Sequence, residues 1–270
     1  MRHLHFVFLG AVVATWPVAI QTQTKAEQIV SAIVRADYEG DRAELDRLFN
    51  EAKTVQPAEG NRRQAAQLHY WRGFAKWRRA INGFNVNADN ADLERDLRTA
   101  MAEFEASRTA DPLFTDAAVA MIGCLQNLTF IYRNDQATAG EFVKQFGTLF
   151  KELGQSDPRN PRLAWLSGGG RLYMASSGLP EQRAKMLALA FETFRRGLDD
   201  ARNEKRPASV LEPSWGEPEL LMNLAYASLN QPQPDVAAAE KYANEALALV
   251  PHWHYVKNIL MPQIRAAKPR

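Results

Sequence analysis

The chain has 270 residues, 46% of them hydrophobic and 24% charged, with a formal net charge of +2. That length is ample for a buried core, and the near-neutral balance removes any global pull toward nucleic acid or an anionic membrane. The single cysteine, Cys124, excludes an intramolecular disulfide and a cysteine-held metal.

The first predicted element is a leader. "MRHLHFVFLGAVVATWPVAIQTQT" opens with Arg2 and two histidines, runs apolar from Phe6 to Ala14, and exits through small and polar residues. This order is that of a secretory signal peptide, here assigned to residues 1–24, with Ala14 or Ala19 as the last residue removed. The apolar run is short for a membrane span and Pro17 interrupts it; an uncleaved N-terminal anchor is the alternative. The expected location is periplasmic or secreted.

From Lys25 onward, apolar residues recur at spacings of three and four, the period of amphipathic helices. Turn residues divide the pattern at 39–41, 57–60, 82–90, 111–112, 134–135, 157–161, 176–180, 207–218, 231–234 and 251. About eleven helices result, joined mostly by short turns. Longer loops are expected at 83–91 and 176–183, and the final helix over 253–267.

The helices carry an internal repeat. In "TAMAEFEASRTADP", Ala100, Phe104, Ser107 and Pro112 are spaced four, three and five apart. The same offsets recur at Leu45, Phe49, Ala52 and Pro57, and at Ala239, Ala243, Ala246 and Pro251. Looser copies are Phe146, Phe150, Leu153 and Pro158, and Ala190, Phe194 and Gly197. Positions i, i+4 and i+7 share a helix face. A small residue lets a partner helix approach, a large one fills the gap, and the proline ends the helix.

This pattern resembles the second helix of a tetratricopeptide repeat. "WRGFAKW", "WLSGGGRLY" and "ELLMNLAYASL" are similar to first helices of such repeats. The resemblance covers nearly all of 25–251 as a divergent array. It implies an all-α fold, a right-handed helical-repeat solenoid of about five antiparallel helix pairs plus a C-terminal helix, forming one domain over 25–270. It also implies a concave groove, lined by the first helix of each pair, that takes extended peptides or carboxylates.

No catalytic motif, phosphate loop or metal constellation stands out, so the expectation is a non-enzymatic protein with no cofactor. His252 and His254 read as capping histidines, Cys124 as inert core, and Gly168 to Gly170 as a close helix approach. The run 62–81, "RRQAAQLHYWRGFAKWRRAI", has six basic residues and no acid. Arg72, Lys76 and Arg79 share one stripe, with Tyr70, Phe74, Trp77 and Ile81 opposite it. The stripe is either balanced by acids such as Asp92, Glu94 and Asp96, or faces a ligand. Mapped onto the repeat family, Arg72, Lys76, Arg79, Asn127, Tyr173, Asn223 and Tyr226 line the groove, a residue set suited to peptide carboxylates and amides. The expected function is an exported scaffold for a protein or peptide partner, without nucleic acid. The alternative is an accessory subunit of a solute uptake system that binds a small anion.

The mature protein is expected to begin between Thr15 and Lys25. N-terminal sequencing of native material checks this, and intact Met1 in the cytosolic fraction refutes it.

Overall fold

The computed structural model of the chain describes residues 23–177, 180–205, 207 and 209–268. All but the last two residues of the candidate leader lie outside them. The described residues form eleven α-helices: α1 (Lys25–Glu39), α2 (Arg42–Ala52), α3 (Arg62–Asn85), α4 (Asn90–Ala110), α5 (Thr115–Ile131), α6 (Gln136–Ser156), α7 (Pro161–Ser177), α8 (Pro180–Asn203), α9 (Glu217–Leu229), α10 (Val236–Leu249) and α11 (Met261–Ala266). They pack in adjacent pairs, α1 with α2 through α9 with α10, and α11 follows as a single terminal helix. Among the described residues no helix is long and apolar enough to cross a membrane.

Local chemistry sets the boundaries. Thr24 caps α1 in a reciprocal box with Glu27, and Asp41, Asn61, Asp135 and Asp235 each accept the backbone N–H three residues on. These contacts satisfy donors that a helix start otherwise leaves orphaned. Gly40 ends α1 at φ +75°, the left-handed conformation that a Cβ disfavours. Before α11 the backbone widens into a π-helical turn, Val256–Leu260. Pro262, at the second position of α11, lacks the N–H for a regular bond.

The repeated triplets are packing seams. Ala100, Phe104 and Ser107 are fully buried, as are Ala190 and Phe194 and the alanines 239, 243 and 246; Leu45, Phe49 and Ala52 are buried too. Opposite two of the phenylalanines the partner helix carries glycine. A Cβ on Gly73 would stand 2.7 Å from the Phe104 ring, and one on Gly168 would overlap Phe194. Only Gly168 of the three adjacent glycines has this role; Gly169 faces open space. In the fourth copy, Leu153 is buried but Phe146 and Phe150 are only partly covered, because α6 and α7 barely touch.

Two expected loops are largely helix instead. α3 runs to Asn85 and α4 starts at Asn90, since Asn82 donates to the carbonyl and carboxylate of Asp37, both at 3.0 Å, and Gly83 admits Leu93. Likewise α7 runs to Ser177 and α8 starts at Pro180.

The odd-numbered helices form an inner layer. Each of α1, α3, α5 and α7 touches the next odd helix, while the even helices chiefly touch their neighbours in sequence. The first and last pairs also meet. Tyr38 on α1 packs edge-on against Trp253 at 5.1 Å and donates to Glu219 on α9 at 2.8 Å. Gly40 abuts His254, and His252 meets the Tyr38 ring.

The chain between α8 and α9 folds inward across this layer. Arg63 grips the Glu212 carboxylate with two nitrogens, at 3.0 and 2.7 Å, and Gln67 adds a third bond at 2.7 Å. Trp71 Nε1 donates to the Leu211 carbonyl at 2.8 Å, and Trp215 Nε1 to the Tyr70 hydroxyl at 2.7 Å. The Trp215 ring then stacks among Phe74, Trp77 and Trp165. We call this segment the strap.

Phe104→Ala is expected to lower stability by about 3–5 kcal/mol through the cavity left against Gly73. Denaturant titration checks this, and a loss below about 1 kcal/mol would place the seam elsewhere.

Candidate functional site

The basic stripe of α3 is turned toward the outer helices, and each of its three cations has partners within the chain, although Arg79 Nε has no acceptor among the described residues. Arg72 donates to the Ala52 and Val55 carbonyls at 3.3 and 2.8 Å, covering the C-terminal end of α2. Lys76 lies between Asp46 at 2.5 Å and Asp96 at 3.3 Å. Arg79 pairs with Asp92 at 3.3 Å and, more closely, with Asp96. Of the two readings of this stripe, balanced by acids or facing a ligand, the contacts of these three cations are those of the first. Their partners come from α2 and α4, and Asp96 would be a lone buried carboxylate without them. Glu94, grouped with those acids in the sequence, pairs instead with Arg98 and accepts from Tyr132.

Another face of α3 is occupied by the strap, so this part of the inner layer is filled by the chain itself. Its deepest charge, Arg78, bonds Asp37 at 2.7 Å and lies over the rings of Phe74, Trp77 and Trp165. Arg78 Nη1 has no acceptor among the described residues; those rings supply the compensating cation–π attraction. Burial raises the carboxyl of the neighbouring Glu219, against the opposing pull of Arg78 and the Tyr38 hydroxyl.

The other four expected groove residues stand farther along the odd helices. Asn127 on α5 and Asn223 on α9 are half-buried, and neither side chain makes a hydrogen bond among the described residues. Tyr173 on α7 and Tyr226 on α9 are exposed. Phe84 on α3 packs edge-on against Phe130 on α5 at 5.8 Å, and Phe130 against Tyr173 at 6.2 Å, making a row across three adjacent inner helices. Phe130 is 42% exposed and Met174, beside Tyr173, 50%. Arg133 stacks over Phe130 at 4.6 Å. Tyr226 lies close enough to Tyr255 to join burial in pushing that phenol up to about 12.

Phe84 and Phe130 were not among the expected residues. A signal for Phe130 is present in the sequence, because "NLTF" at 127–130 and "NLAY" at 223–226 repeat an Asn with an aromatic three residues on, which share a helix face. The strap is also foreshadowed, since Leu211 and Trp215 are large apolar residues inside a proline-rich connection.

A separate cleft of about 850 Å³ lies between α1 and the strap. None of Arg72, Lys76 and Arg79 lines it.

The fold and these surfaces define an all-helical protein of paired helices, closed at its ends and filled by its own strap. No family model, no curated protein and no solved structure matches the chain.

The charge belt around α3 predicts acid sensitivity. Burial pushes Asp92 up, but hydrogen bonds from Arg42 and Arg95 and the charge of Arg79 outweigh it and hold its pKa at about 2. A carboxyl lowered in this way adds stability above its unfolded pKa, lost as pH falls through the folded value. The melting temperature is expected to drop as pH falls from about 4 toward 2. Asp92→Asn should melt lower at neutral pH and lose less on acidification. An unchanged acid limb in thermal melts would show that the belt does not couple to folding.

Proposed function

We propose that the protein is an exported, non-enzymatic scaffold of tetratricopeptide-like architecture, a right-handed superhelix of antiparallel pairs. It binds an extended segment of a partner protein on its inner layer. The observation that carries this reading is the aromatic row Phe84, Phe130 and Tyr173 on three successive inner helices, half-buried at Phe84 and exposed at Phe130 and Tyr173. Exposed apolar groups grouped in this way mark interaction surfaces more often than solitary ones do. Asn127, whose amide has no partner among the described residues, and Asn223 near Tyr226 supply donors and acceptors for a backbone held against the rings. Aromatic rings contribute large contact area at small entropic cost. The leader-like residue order of 1–24 supports export to the periplasm or beyond.

The experiment is site-specific photo-crosslinking in the native envelope. A benzophenone amino acid at Phe130 or Tyr226 is expected to capture the same partner. At Leu113, which is 86% exposed at the opposite end of α5, it should capture none. Equal capture at all three positions, or none at the first two, overturns the proposal.

A further inference from the structure

We propose that the cleft between α1 and the strap binds a small amphipathic carboxylate. This site is distinct from the aromatic row. Its volume of about 850 Å³ falls within the roughly 300–1,000 Å³ typical of small-molecule sites. Val30 and Val34 of α1 and Val210 of the strap supply apolar walls, and Tyr38, Trp71 and Trp215 supply aromatic surface. The polar atoms of those three rings are already committed, to Glu219, the Leu211 carbonyl and the Tyr70 hydroxyl respectively. What the rings offer an occupant is therefore apolar surface in fixed positions. They need no reordering on binding, which favours affinity.

The charges around the cleft specify the rest of the ligand. Arg202 is neutralised by Glu217 at 2.9 Å and Glu245 at 3.1 Å. Glu204 is held by Arg162 at 2.7 Å. Lys205 is exposed and has no ion-pair or hydrogen-bond partner among the described residues. Among the described residues the cleft thus presents one cation without a partner, Lys205, beside its apolar interior, while its two carboxylates, Glu204 and Glu217, are each held by an arginine. A single carboxylate on an aliphatic or aromatic body matches both features. A polyphosphate does not, because one lysine offers no arginine fork and Glu204 and Glu217 line the same cleft.

Octanoate and octan-1-ol, titrated separately into the full chain, test the proposal by calorimetry and tryptophan fluorescence. Octanoate is expected to bind one to one, perturb the emission through Trp71 and Trp215, and exceed the alcohol in affinity by about three- to tenfold. Lys205→Gln should bring the two probes to equal affinity at an unchanged melting temperature. Val210→Asp, at an exposed position, should weaken both. Phe130→Ser should leave octanoate binding intact while removing partner crosslinks, so the two sites fail or succeed separately. Absence of octanoate binding, equal affinity of the two probes for the unmodified chain, or indifference to both cleft substitutions overturns the proposal.

Discussion

One buried guanidinium ties α5, α7 and both ends of the strap together. Arg162, at the start of α7, is 4% exposed and reaches Asp116 on α5, Glu204 beyond α8 and the carbonyl of Trp215 in the strap. Asn160 completes the arrangement by bonding Asp116 at 3.1 Å. Removing a cation from water is expensive, and the expense is offset here because two carboxylates and a carbonyl surround it. The position matters because α6 and α7 barely touch, so the ordinary seam between consecutive pairs is missing at this point. There the Arg162 cluster and the strap add a polar tie to the apolar contacts that Leu163, Trp165 and Leu166 of α7 make with the core. Apolar contact tolerates sliding, whereas a forked charge pair fixes direction and distance. Between its attachments at Glu204 and Trp215 the strap is held in a similar way, by Arg63 and Gln67 on Glu212.

The strap in turn explains what the inner layer can do. A curved array of helix pairs normally leaves its inner helices open to a partner. Here four rings, Phe74, Trp77, Trp165 and Trp215, fill that space with edge-to-face and tilted contacts. The surface left for others is displaced toward Phe84, Phe130 and Tyr173, where the strap does not reach them in the contacts it makes. The cleft exists for the same reason, because an irregular segment laid beside the straight α1 cannot cover it evenly.

The helices and their seams were legible in the sequence because periodicity reports which face is buried. Ala100, Phe104 and Ser107 could be placed in the core from spacing alone. The direction of the Arg72 stripe could not. A helix inside an array has neighbours on several sides, and composition does not say which side meets acids and which meets solvent. Asp46, which decides the fate of Lys76, lies thirty residues upstream. The strap was hidden for a related reason. Its contacts to Arg63, Tyr70 and Trp71 span about 140 residues or more, and no local pattern encodes a pairing at that distance. Asn82 to Asn85 misled in the opposite sense, since asparagine and glycine favour turns. Here Asn82 is spent on Asp37 and Gly83 on Leu93, and the helix continues.

The meeting of Tyr38 with Trp253 and Glu219 bears on how this chain can evolve. Open repeat arrays grow or shrink by whole units, since each unit contacts only its neighbours and an added one finds the same surface waiting. A closed array has no such freedom. Inserting or deleting one helix pair would separate Tyr38 from its ring partners and leave Glu219 buried without its hydroxyl. The number of pairs is thus fixed by circumference, as the staves of a cask are, and variation must come by substitution within units. Drift of that kind would erode any sequence likeness between pairs while leaving their count untouched.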